Sequence, residues 1–109
     1  MEESHKQLIE KYTHKMTSIF TPFGEYSQED IDLITDCGRK IANESYYGND
    51  IGSYGSIISN DLKEKRPDLI NGDTIFYFGS CRMAGEYIAK DNPEVIDQTL
   101  SGAYRLVKD

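Results

Sequence analysis

The residues able to do chemistry are few in this 109-residue chain. His5 and His14 are its two histidines, nine positions apart on a stretch with helical spacing. A structural metal site takes about four ligands, usually Cys or His, and no third ligand stands at a matching step. Both histidines are expected to be solvated, with no metal and no cofactor. Cys37 falls on the apolar side of its helical pattern, where a small buried thiol is ordinary. Cys81 stands next to Arg82, a neighbour that lowers the pKa of an exposed thiol. A nucleophilic Cys–His pair is assembled by the fold and leaves no mark in the sequence. Gly48-Asn49-Asp50-Ile51-Gly52-Ser53-Tyr54-Gly55 has the glycine content of a phosphate-cradling loop. It lacks the Lys-Ser/Thr ending, follows no parallel-strand pattern, and its Asp50 repels phosphate. The expectation is a chain without catalytic apparatus, one that works by binding.

Charge says what it would bind. Nineteen acids against twelve bases leave a net charge of −7. Residues 25–50 alone hold seven acids against Arg39 and Lys40, a local −5. Nucleic-acid binding draws its affinity from Lys and Arg on phosphates, so this balance argues against it and favours a basic partner. Tyr26, Tyr46, Tyr47 and Tyr54 lie in or beside the acidic segment. Tyrosine is enriched in binding hot spots, and focused negative charge speeds capture of a basic surface. The expected contact residues are Glu29, Asp30, Asp36, Tyr46, Tyr47, Asp50 and Tyr54.

The elements that position them read as helices. Leu8, Ile9, Tyr12, Met16 and Ile19 recur at steps of three and four between Glu3 and Phe20, one stripe of an amphipathic helix. Thr21-Pro22-Phe23-Gly24 breaks it. Ser27 followed by Glu29 and Asp30 is a start signal, a hydroxyl acceptor with acids in the first turn. Ile31, Ile34, Cys37 and Ile41 follow as a core stripe, ending between Asn43 and Gly48. A third helix starts near Asn49-Asp50, carries Ile51, Tyr54, Ile58 and Leu62, and stops at Pro67. Thr74-Ile75-Phe76-Tyr77-Phe78 has strand-like composition. Phe76, Gly79, Met83 and Tyr87 continue it at helical steps, and no second strand is present to pair with it, so helix is favoured with that stripe inward. Asp91-Asn92-Pro93-Glu94 opens a last helix with Ile96, Leu100, Ala103 and Val107 on its stripe. The whole is expected to be one all-α domain over residues 1–109, a small bundle of about five helices. No apolar run approaches the roughly 18 residues of a membrane span. The start of the chain lacks the basic-then-apolar order of a secretory signal. Two cysteines make no disulfide framework, so the cytoplasm is the expected compartment.

The C-terminal third resembles a known family. Phe78-Gly79-Ser80, running through Ala84 and Glu86 to Asn92-Pro93-Glu94 and on to Leu100, Ala103-Tyr104 and Val107, is similar to the end of certain type VI secretion immunity proteins. Those are small helical proteins that neutralise toxins acting on nucleotides, NAD(P) glycohydrolases and (p)ppApp synthetases. Here Phe78 stands for a Leu, Asn92 for an Asp and Val95 for a Leu of that pattern. The resemblance implies a cognate toxin with a basic active-site cleft that this chain blocks, and it assigns no inhibitory residue. Two other classes fit the composition: a phage-type anti-defence protein imitating nucleic acid, and a small nucleotide-binding protein using the glycine-rich segment.

Overall fold

Spacing, caps and breakers resolve into helices, as the all-α expectation holds. The computed structural model describes residues 1–20, 25–49 and 51–100, the side chains of 51–56 excepted. Helix α1 spans Glu3–Phe20, α2 Gln28–Tyr46, α3 Ile51–Lys65 and α4 Gly72–Ala89. A single 3-10 turn, Pro67–Leu69, separates α3 from α4, and residues 94–100 form a further helical segment, α5. Among the described residues there is no strand pairing to form a sheet, and no helix is long and apolar enough to cross a membrane. The break at 21–24, Asp50, the Tyr54 side chain, Ala103 and Val107 lie outside the described residues.

Helix ends are set by local chemistry. The Ser27 hydroxyl oxygen accepts from the Asp30 N–H at 3.1 Å, satisfying one of the orphan donors of the first turn. Asn71 caps α4 the same way, its side chain accepting from the Thr74 N–H. Thr74 reciprocates by accepting from the Asn71 N–H. Asn71-Gly72-Asp73-Thr74 does not carry the usual sequence mark of this box, because its fourth position holds Thr in place of Glu or Gln. At the other end of α2, Gly48 takes φ +74°. The Gly48 N–H then reaches the Ser45 carbonyl and the Asn49 N–H the Glu44 carbonyl, both at 3.0 Å, the paired closure that a left-handed residue permits. The end of α4 closes identically through Asp91 and Asn92 onto Ile88 and Tyr87, with Asp91 at φ 55°. A left-handed aspartate costs more than glycine there, so something must hold it.

Packing places α4 against both α1 and α2, and α3 against α2. One core joins Ile9, Tyr12 and Met16 of α1, Ile34 and Ile41 of α2, Leu62 of α3, and Ile96 and Leu100 of α5. The face of α4 turned inward is Thr74, Tyr77, Phe78, Cys81, Ala84, Gly85 and Ile88. This corrects the expected stripe: Phe76 and Gly79 are exposed, and Met83 and Tyr87 half-buried. Both sides of α4 are apolar, so periodicity alone could not choose between them. Bulk chose, since Ala84 and Gly85 let α2 approach and Tyr77 fills the centre. Ile31 and Cys37, expected in the core of α2, are half-buried, and Ile57 is exposed.

The centre of the bundle is not wholly apolar. The Tyr77 hydroxyl donates to the Thr13 carbonyl at 3.1 Å, and the Thr17 and Thr35 hydroxyls lie 2.9 Å apart. Thr13, Thr17, Thr35 and Tyr77 are all buried. Thr13 and Thr17 also donate to carbonyls one turn back, at 2.7 Å each. Hydroxyls satisfied in this way pack at little cost, and no buried side-chain polar atom among the described residues is left unpartnered.

Candidate partner-binding surface

Helix α2 presents the acidic segment. Its inward side is Ile34, Thr35, Gly38, Ile41, Ala42 and Ser45. At about 100° per residue the opposite line runs through Glu29, Asp36, Lys40 and Tyr47. Glu29 and Asp32 are exposed, and Tyr47 keeps 60% of its surface in solvent. Leu33 and Tyr47 are the apolar side chains offered on this face.

The expected contact residues do not act alike. Asp30 is largely covered and pairs with Arg66 at 2.8 Å. Asp36 pairs with both Arg39 and Lys40 at 3.1 Å. Arg39 also reaches back to α1, where it donates to Glu10. Part of the local −5, which already counts Arg39 and Lys40, is therefore cancelled by Arg66 from another element, and the free field of this face is weaker than the count suggests. Glu29 remains a solvent-facing carboxylate. Glu29 and Tyr47 stand at opposite ends of α2, about 27 Å apart along the axis, so these residues make a long stripe and not one patch. Asp50 and the Tyr54 side chain lie outside the described residues.

Tyr46 has a structural task that sequence spacing could not reveal. His5 Nδ1 lies 2.7 Å from the Tyr46 hydroxyl, and His5 Nε2 lies 2.5 Å from Asp91 Oδ1. A carboxylate only accepts, so Nε2 donates to Asp91, while Nδ1 and the Tyr46 hydroxyl share a second hydrogen bond. The ring is 7% exposed and stands edge-on to Tyr46, centroids 5.4 Å apart. This corrects the expectation of a solvated His5: its partners come from residues 41 and 86 positions away, which no local pattern shows. His14 is exposed, as expected.

The order Tyr–His–Asp is that of a proton relay, yet what it does here is mechanical. It ties the first turn of α1 to the end of α2 and to the left-handed exit of α4, and it is what holds Asp91 in place. His5→Ala should lower the unfolding free energy by about 1–3 kcal/mol, from a truncated buried ring and two lost hydrogen bonds. A urea titration followed by circular dichroism measures it; a shift below a few tenths of a kcal/mol would show that the clamp is idle.

Burial works against the thiolate form of both cysteines. Cys81 is fully buried, and that burial pushes its thiol up to about 12, against a small lowering from its contact with Tyr77. This corrects the idea of a thiol activated by Arg82, whose side chain lies on the exposed side of α4. Burial likewise raises the Cys37 thiol. Among the described residues no three His, Cys, Asp or Glu converge as a metal would require. The open grooves on this side are shallow: one of about 330 Å³ lies between α1 and α2 beside His14, Gln28 and Asp32. Another of about 390 Å³ is bounded by Lys6, Glu10, Arg39 and Tyr47.

No protein-family model, no curated protein and no solved structure matches this chain.

Proposed function

We propose that this chain is an immunity protein: it binds a cognate secreted toxin domain and blocks a basic active-site cleft, without chemistry of its own. The observation that carries the reading is the outer side of α2, where Glu29 and Asp32 face solvent, Asp36 lies half-exposed beside Arg39 and Lys40, and Tyr47 is 60% exposed. Complementary charge of this kind raises the association rate, while buried aromatic contacts set the dissociation rate. The likeness of Phe78-Gly79-Ser80 and Asn92-Pro93-Glu94 to type VI immunity proteins supports the same reading and points to a toxin acting on nucleotides, met in the cytoplasm.

The test is co-expression with the toxin domain encoded beside this gene, followed by binding of the purified pair. The expected result is restored growth and a single tight complex. Replacing Glu29, Asp32 and Asp36 by Gln, Asn and Asn should then slow association about tenfold at low salt and remove most of its salt dependence. Absence of protection would end the immunity reading. Binding to several unrelated DNA-handling proteins would redirect it to a nucleic-acid mimic.

A further inference from the structure

Where α2 and α4 begin, the bundle exposes two consecutive apolar side chains. Ile75 and Phe76 keep 51% and 50% of their surface in solvent. Phe76 is steadied edge-on against Phe20, ring centroids 5.0 Å apart, so it forms a fixed wall. Gly72 and Gly79 are seven positions apart, hence nearly on one line down the helix, and each has open space where a Cβ would stand. Ile75 and Phe76 fall on either side of that line. The result is a trough with bare helix backbone for its floor and apolar walls, on a helix whose opposite side already fills the core.

The rim of this trough is acidic. Glu25 and Asp73 are exposed. Asp30 and Asp68 share a single cation, Arg66, each at 2.8 Å, and its guanidinium holds the Asp68 carboxyl below its usual range. Lys65, next to Arg66 in sequence, lines the α2–α3 groove beside Lys40 and Asp61 instead, and Arg82, one turn beyond Gly79 on the exposed side of α4, is the other cation near the trough. The Tyr26 hydroxyl accepts from Asn71 Nδ2 at 2.9 Å, which fixes the start of α2 to the start of α4 and keeps the rim in place. Glu25, Asp30, Asp68 and Asp73 against Arg66 and Arg82 leave this end of the bundle acidic on balance, about an apolar centre.

We propose that this trough is the docking surface for a protein segment with an apolar centre flanked by Lys or Arg. The proposal rests on the reading of the partner as a basic cleft, and it moves the main contact from the outer line of α2 to the end of the bundle. Charge selects this occupant over a second copy of the chain, since two copies would set acidic rim against acidic rim.

The experiment follows backbone amide shifts of the isotope-labelled full chain during titration with three synthetic amphipathic peptides: Lys/Leu, Lys/Ser and Glu/Leu. The Lys/Leu peptide should shift amides of residues 25–30 and 66–80, and the other two should bind at least about tenfold more weakly. Gly79→Gln fills the floor with a helix-favouring side chain, so it should weaken the Lys/Leu peptide about tenfold while the melting temperature holds or rises. Ile75→Ser should weaken it similarly, and Ile57→Ser, at an equally exposed apolar position on α3, should not. Shifts centred elsewhere, equal binding of the Lys/Ser peptide, or an unaffected Gly79→Gln variant would each overturn the proposal. Shifts that grow with protein concentration alone would do so too, by assigning the trough to a second copy. A toxin domain that fails to be neutralised leaves the peptide map standing, so the two readings fail separately.

Discussion

Gly85→Val is expected to lower stability by more than about 3 kcal/mol, and Gly85→Ala by about 2 kcal/mol. Gly85 sits on the inner face of α4 where that helix crosses α2. A Cβ there would stand 3.0 Å from both the Ala42 carbonyl carbon and the Ser45 Cβ, and closer still to the Ala42 carbonyl oxygen. The obstacle is backbone, which has no rotamer to escape into. The same crossing is pinned by the Ser45 hydroxyl, which donates to the Arg82 carbonyl at 2.6 Å, so one helix cannot slide past the other without giving up that bond. Overpacking of this kind costs about 1–3 kcal/mol, occasionally more. Alanine regains up to about 1 kcal/mol of helix propensity over glycine. Valine adds branched bulk and regains less. Against a total of about 5–15 kcal/mol for a domain, the loss for valine is a large fraction. Gly79→Ala is the control on the same helix: nothing lies within 4 Å of its added Cβ, so it should stabilise by about 0.5–1 kcal/mol. Urea midpoints for the three variants decide the matter. Equal midpoints for Gly79→Ala and Gly85→Ala would mean the crossing is looser than described.

What the sequence could and could not disclose follows from the range of each interaction. Ser27 capping α2, Pro67 ending α3 and the Glu3–Phe20 stripe are local, and each was readable because its physical cause lies within a few residues. The inner face of α4 was not, because Phe76-Gly79-Met83-Tyr87 and Tyr77-Cys81-Ala84-Ile88 are both helical and both apolar. Only the neighbours, Thr13 under Tyr77 and Ala42 against Gly85, distinguish them. The acidic face was half legible. Composition located it, and Glu29 and Tyr47 do face outward, but the neutralising Arg66 comes from 36 positions beyond Asp30. The same limit hid His5, whose two partners are brought to it by the ends of α2 and α4. Phe76, one wall of the trough at Gly72–Gly79, lies on a stripe that spacing offers as readily as the buried one, because α4 is apolar on both sides where a helix is ordinarily apolar on one.

Raising the pH should unfold this protein over a window set by its buried acids. Burial raises the Cys81 thiol from 9.0 to about 12. Burial first, then the bond to Asp97 and its charge, raises the Tyr12 phenol from 10.0 to about 12. Burial, and next the neighbouring Cys81, raises Tyr77 further still. In each case the folded pKa lies above the unfolded one, so the fold favours the neutral form. The stability these groups contribute is complete below the unfolded values of 9.0 and 10.0 and is lost as pH climbs toward and through 12. The melting temperature should therefore stay level to about pH 9 and then fall steeply. Tyr77→Phe separates this effect from general charge repulsion at net −7. It removes one ionisable proton together with the hydroxyl's bond to the Thr13 carbonyl and its contacts with Thr17, Thr35 and Cys81, so its loss at neutral pH should be about 1–2 kcal/mol. Above pH 10 the variant should decline less steeply than the parent, and the two melting curves should converge or cross. Parallel curves from pH 7 to 12 would show that repulsion, and not the ionisation of Tyr77, unfolds the bundle.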